Sequence, residues 1–183
     1  MMEGTVMNEN LERAKNMLST ALEMEKKGKA FYKHTVSTCK NELGREIFQM
    51  LMEDEDVHMD RIRSIYETLA GKEAWPENWK DLHTKHEGLG VVFEKMAKKQ
   101  GTEIAVDASD LEALDTGIDF EAQSVKFYEK QLAEATDPLE QEFIRKMVAE
   151  EKGHHAALTD MKFYLSDPAD WFREKERGGL DGG

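Results

Sequence analysis

The chain holds 183 residues, enough for one domain with a sizeable core but short for two. Its formal net charge of −13, from 38 acidic against 25 basic residues, argues against the basic stripe that a nucleic-acid partner requires. A single cysteine, Cys39, excludes an intrachain disulfide and any cysteine-based zinc or iron–sulfur site within one chain.

The opening, MMEGTVMNENLERAKN, has no apolar signal core, and no later run approaches the roughly 18 apolar residues of a membrane span, so a cytoplasmic protein is expected. Leu11, Ala14, Leu18, Leu22, Phe31 and Val36 recur in loose helical register and predict a first helix over about 10–40, with Asn8 or Asn10 as its cap. Asn41 precedes a second, over 42–70, carrying Leu43, Ile47, Leu51, Ile62, Ile65 and Leu69 and ended by Gly71. Trp75, Pro76, Trp79, Gly88 and Gly90 break up residues 71–107, leaving one short helical piece near 91–99. A third helix is predicted over 109–136, and Asp137-Pro138 opens a fourth over 138–165. Residues 166–183 read as a turn, a short helix and a glycine-rich tail. Two antiparallel helical hairpins joined by one long crossover make the ferritin-like form of the four-helix bundle. The expected fold is therefore all-α, a single domain over 1–183.

Two motifs recur along these helices. Glu25, Gly28, Phe31 and Tyr32 are echoed by Glu121, Ser124, Phe127 and Tyr128, and the pair Glu55-His58 by Glu151-His154. The offset is the same throughout (121 − 25 = 96, and likewise for 32 and 128, 55 and 151, 58 and 154), which marks an internal duplication of one hairpin. A Glu and a His three residues apart share a helix face, so both can reach one metal ion, or one can bind it while the other bridges to a second. Two facing hairpins supply four carboxylates and two imidazoles: Glu25, Glu55, His58, Glu121, Glu151 and His154. This oxygen and nitrogen set suits iron or manganese and could accept zinc or cobalt. One Glu-x-x-His pair alone is common on any solvated helix; two at one offset, each beside a matched Glu on the preceding helix, are not. Glu25 and Glu121 also sit among apolar positions, where an unpaired carboxylate costs several kcal/mol and a ligated one does not.

Tyr32 and Tyr128 lie two turns beyond these glutamates and either bond the site or simply fill the core. Asp54 and Glu150 precede the two histidines by four and either orient an imidazole or remain solvated acids. His155 points away from its neighbour and reads as surface, His83 and His86 as plain loop residues, and Trp75, Trp79 and Trp171 as packing for crossover and tail.

ALEMEKKGKAFY, EDEDVH, FEAQSVKFY and AEEKGHH together resemble the four helical motifs of the rubrerythrin family, over residues 10–165. The resemblance implies Glu25 and Glu121 as terminal ligands, Glu55 and Glu151 as bridges, and His58 and His154 on separate irons. It implies a cofactor of two iron ions, with manganese or zinc as substitutes, and reduction of hydrogen peroxide by two electrons. Glu25, Glu55, Glu121, Glu151, Tyr32 and Tyr128 would form the catalytic set. Two departures stand out. No rubredoxin domain with its cysteine pairs is present, so electrons must come from a separate donor such as a rubredoxin. Ser124 occupies a position where the family usually carries a further Glu, and the remaining six ligands equally resemble the ferroxidase centre of bacterioferritin. An O2-reducing ferroxidase and a non-enzymatic metal-binding stress protein are the alternatives. A homodimer without nucleic-acid or membrane partners is the default assembly.

Overall fold

Caps and turns at polar residues set the boundaries of the elements in the computed structural model, which describes residues 2–72 and 74–180. The helices are α1 (Met2–Thr38), α2 (Glu42–Lys72), α3 (Leu89–Gln100), α4 (Ala108–Glu134), α5 (Pro138–Ser166) and α6 (Pro168–Leu180), with a 3-10 turn at Asn78–Asp81. No strand occurs among the described residues. The Asn41 side chain accepts the Gly44 amide at 2.9 Å, satisfying a free donor in the first turn of α2. Asp107 caps α4 through the Ser109 amide, and Asp110 accepts back from the Asp107 amide, a capping box. Asp110 also accepts the amides of Lys40 and Asn41 at 3.0 and 3.1 Å, so the turn of the first hairpin is fastened to the start of the second. Asp137 caps α5 through the Leu139 and Glu140 amides, with Pro138 pre-set for the first turn.

Four boundaries differ from the sequence reading. α2 continues through Gly71 to Lys72, since a glycine weakens a helix without ending it. α1 begins at Met2, so Asn8 and Asn10 lie inside the helix rather than capping it. The cap of α4 is Asp107 and the helix starts at Ala108, one residue before the expected start, because Asp110 serves as the reciprocal partner of the cap. α6 runs through Gly178 and Gly179 of the expected tail, whose last residues, 181–183, lie outside the described residues.

The helices pack as two hairpins, α1 on α2 and α4 on α5, while α3 lies across α5 and α2 and α6 returns onto α5. The apolar core falls into two clusters. One contains Ile47, Phe48, Leu51, Phe93, Leu114, Leu158, Met161 and Trp171; the other contains Leu18, Ile62, Ile65, Trp79, Phe143, Ile144 and Met147. In every long helix the stretch between these clusters carries buried acids or histidines, so a polar layer divides the bundle near mid-height. The crossover and tail complete the walls. Trp79 meets Phe143 edge-on at 5.5 Å between centroids, and Trp171 is fully buried against Phe93 and Tyr164, its indole donating to Asp160 at 2.8 Å.

Candidate metal centre

All six candidate ligands of the duplicated motifs meet in that polar layer. Glu25 comes from α1, Glu55 and His58 from α2, Glu121 from α4, and Glu151 and His154 from α5; none is more than 3% exposed. The donor atoms of Glu25, His58 and Glu151 lie within 4.8 Å of one another, as do those of Glu55, Glu121 and His154. Each triad therefore draws on both hairpins. The two imidazoles stack at 5.5 Å between centroids and 20° between planes, each presenting Nδ1 to the acids. Glu151 reaches both: Oε1 lies 3.1 Å from His58 Nδ1 and Oε2 lies 3.8 Å from His154 Nδ1.

Glu55 Oε2, Glu121 Oε2, Glu151 Oε1 and His154 Nδ1 are buried without any hydrogen-bond partner. An orphaned buried polar atom costs about 1–3 kcal/mol, more when charged. Four of them aimed at one space fit cations held between them, and a hard oxygen-rich donor set with two imidazoles suits iron. Protons partly substitute in the free protein. Burial, then the neighbouring Glu151, pushes the Glu121 carboxyl up to about 8, and burial followed by Glu25 raises Glu55. Burial works against charge on His58 and His154, yet the acids around both hold them well above the usual imidazole range.

A second layer supports this one, and it is crossed between hairpins. The Tyr32 hydroxyl donates to Glu121, and that of Tyr128 donates to Glu25 at 2.5 Å. Burial, reinforced by these acids, holds both phenols well above their usual range, so they remain donors. Asp54 lies 3.1 Å from Nε2 of His154, and Glu150 lies 3.3 Å from Nε2 of His58. Each acid thus serves the histidine of the other hairpin, not the one four residues along its own helix. Gly28 allows a close approach: a Cβ there would stand 2.7 Å from Phe120 and 3.0 Å from Glu55 Oε1.

Two residues of this layer escaped the sequence reading. Arg61, 1% exposed, holds Glu150 through both terminal nitrogens while its Nε donates to the Leu82 carbonyl at 2.8 Å. His86, read as a plain loop residue, lies 2.7 Å from Asp54 through Nε2. Neither has a partner at the 96-residue offset, since Ala157 stands where Arg61 would recur. For Arg61 the signal was available: a lone arginine among Ile62, Ile65 and Leu69 on a buried face needs an acid. His155 is half-exposed and takes no part.

An all-helical bundle of two hairpins, with four carboxylates and two imidazoles converging between its core clusters, belongs to the ferritin-like class of diiron-carboxylate proteins. Within that class, the family model for Rubrerythrin matches residues 16–162, and the chain belongs to this family, which binds a diiron centre. No curated protein and no solved structure matches the chain.

Proposed function

We propose that the chain is a diiron oxidoreductase that reduces hydrogen peroxide with electrons from a separate donor protein such as a rubredoxin. The observation that carries this reading is the pair of buried triads with orphaned oxygen and nitrogen atoms, on a rubrerythrin-family bundle. Glu25, His58 and Glu151 would hold one ion and Glu55, Glu121 and His154 the other, and Glu151, which lies near both histidines, would serve both. Iron there would supply the two electrons that cleave the O–O bond.

The protein's own groups do the rest. Reduction of HOOH to two waters consumes two protons, and with metal in place of the Glu121 proton the protonated groups beside the site are the Tyr32 and Tyr128 hydroxyls, to be resupplied from solvent. The two phenols fix the rotamers of Glu121 and Glu25, while Asp54 hydrogen-bonds Nε2 of His154 and Glu150 stands 3.3 Å from Nε2 of His58 without a formed hydrogen bond, so that Nδ1 of each ring faces the acids. Ile47, Leu51, Ile62 and Phe143, above and below the layer, keep bulk water out. With Cys39 as the only cysteine, these 183 residues hold no cysteine-ligated redox centre, and the donor would be a separate centre such as a rubredoxin.

Ser124 favours a second reading, an O2-reducing ferroxidase, because it leaves six ligands where the peroxide-reducing relatives usually have seven. Anaerobic Fe(II) loading followed by stopped-flow mixing separates the two. Hydrogen peroxide should re-oxidise the centre at least tenfold faster than O2 at equal concentration. Faster re-oxidation by O2 would overturn the peroxidase reading, and failure to bind two irons per chain would overturn both.

A further inference from the structure

The two triads match in their phenols and in their inner acids, but not in what stands behind their histidines. Behind His58, Glu150 is gripped by the buried Arg61 guanidinium and also by Lys146, whose Nζ lies 2.9 Å from Oε1. Behind His154, Asp54 meets only His86 at 2.7 Å; among the described residues no lysine or arginine nitrogen lies within 4.0 Å of it. His86 is an imidazole and not a permanent cation as Arg61 is. The Gly88 amide donates to its Nδ1 at 3.2 Å, which leaves the ring proton on Nε2, facing Asp54. One imidazole is therefore backed by an acid that two cationic side chains grip, and the other by an acid with no lysine or arginine beside it.

We infer that the two metal positions are unequal, and that Arg61 and Asp54 set the order of filling: the first divalent cation goes to Glu55, Glu121 and His154. This rests on the proposed metal site. Unscreened, the Asp54 carboxylate raises the basicity of His154 and attracts a cation; on the other side Arg61 and Lys146 repel one, and in a dry interior such charges act over several ångströms. Groups at this distance from a metal typically alter its affinity by about 10–100-fold. Arg61 and Asp54 are positioning residues here, since neither carries a donor atom in the two triads.

Single-ion variants make the comparison without repulsion between two bound cations. His58→Ala keeps the Asp54-backed position and His154→Ala keeps the Arg61-backed one. Each metal-free full-length variant is titrated with Co(II) alone, followed by calorimetry and by visible absorption. His58→Ala should bind one Co(II) at least about tenfold more tightly than His154→Ala. Adding Arg61→Met to His154→Ala should close most of that gap, and adding Asp54→Asn to His58→Ala should close it from the other side, so a variant that does not fold leaves the other to decide. Equal affinities, or the reverse order, would overturn the inference while leaving the metal site in place. Absence of Co(II) binding by the unmutated chain would instead refute the site itself.

Discussion

Raising the pH of the metal-free protein from 5.5 to 8 should destabilise it, against the usual flatness of this range. The unfolded chain releases the proton of Glu121 near 4.5, whereas the folded chain keeps it up to about 8. A group whose folded value is raised stabilises fully below its unfolded value and stops doing so as the pH climbs through the folded one. Each pH unit inside that window costs about 1.4 kcal/mol per retained proton, so Glu121 alone accounts for about 3 kcal/mol. Glu55, His58 and His154 are shifted in the same direction and add to it. Glu150 and Glu151 are held low by His58, His154 and Arg61 despite their burial, and they matter only below this range. At about 2–4 °C per kcal/mol for a chain of this size, the melting temperature should fall by about 10 °C. Metal must expel the same protons, so binding strengthens as the pH rises and the loaded protein should not show the fall. Calorimetric melts of chelator-treated and Zn(II)-loaded protein at half-unit pH intervals test this. A metal-free melting point that stays level or rises up to pH 8 would refute the claim that the acids converge unsatisfied.

Other outcomes follow from single contacts. Gly28→Ala should lower stability by about 1–3 kcal/mol in urea denaturation, because its Cβ would press on Phe120 and Glu55, whereas Gly153→Ala meets open space and should be neutral or slightly stabilising. Tyr128→Phe strips Glu25 of its phenol donor and should cost about 1–3 kcal/mol by the same assay, with two metals still bound by elemental analysis. Trp171→Ala should cost about 3–5 kcal/mol and loosen α6, seen as faster amide exchange over residues 168–177. Ser124→Glu places a seventh carboxylate on the buried face of α4; structures in both iron oxidation states should then show one iron shifted by more than about 1 Å from its histidine, well beyond ligand-distance tolerance, and the unmutated protein none.

The bundle and the inner six residues were legible because the duplication printed them twice. Glu25 and Glu121, or His58 and His154, identify each other by offset, and Asn41 and Pro138 punctuate the helices by chemistry that acts locally, whereas Gly71 does not stop α2. The outer layer was not. Arg61 and His86 occur once each, and their use depends on Leu82 and Asp54 being brought alongside by the crossover, which no spacing encodes. Asp54 and Glu150 were visible as candidates, but helical spacing pairs each with the wrong histidine, because the relevant neighbour sits across the bundle. The start of α1 was misread for a simpler reason: Asn8 and Asn10 resemble caps, yet no proline precedes them to stop the helix from continuing.

The interleaving of the triads ties the fates of the two repeats together. Since Glu151 sits with Glu25 and His58, and Glu55 with Glu121 and His154, a chain severed in the crossover would yield fragments each lacking part of both donor sets. A bound cation would then act as a clasp that closes only when the halves have docked, and opening the bundle would require that it first be surrendered. Damage confined to one repeat would impair both ions at once. The six inner positions are identical in kind in the two repeats, while sites such as 61 and 157 differ, one half carrying an arginine and the other an alanine.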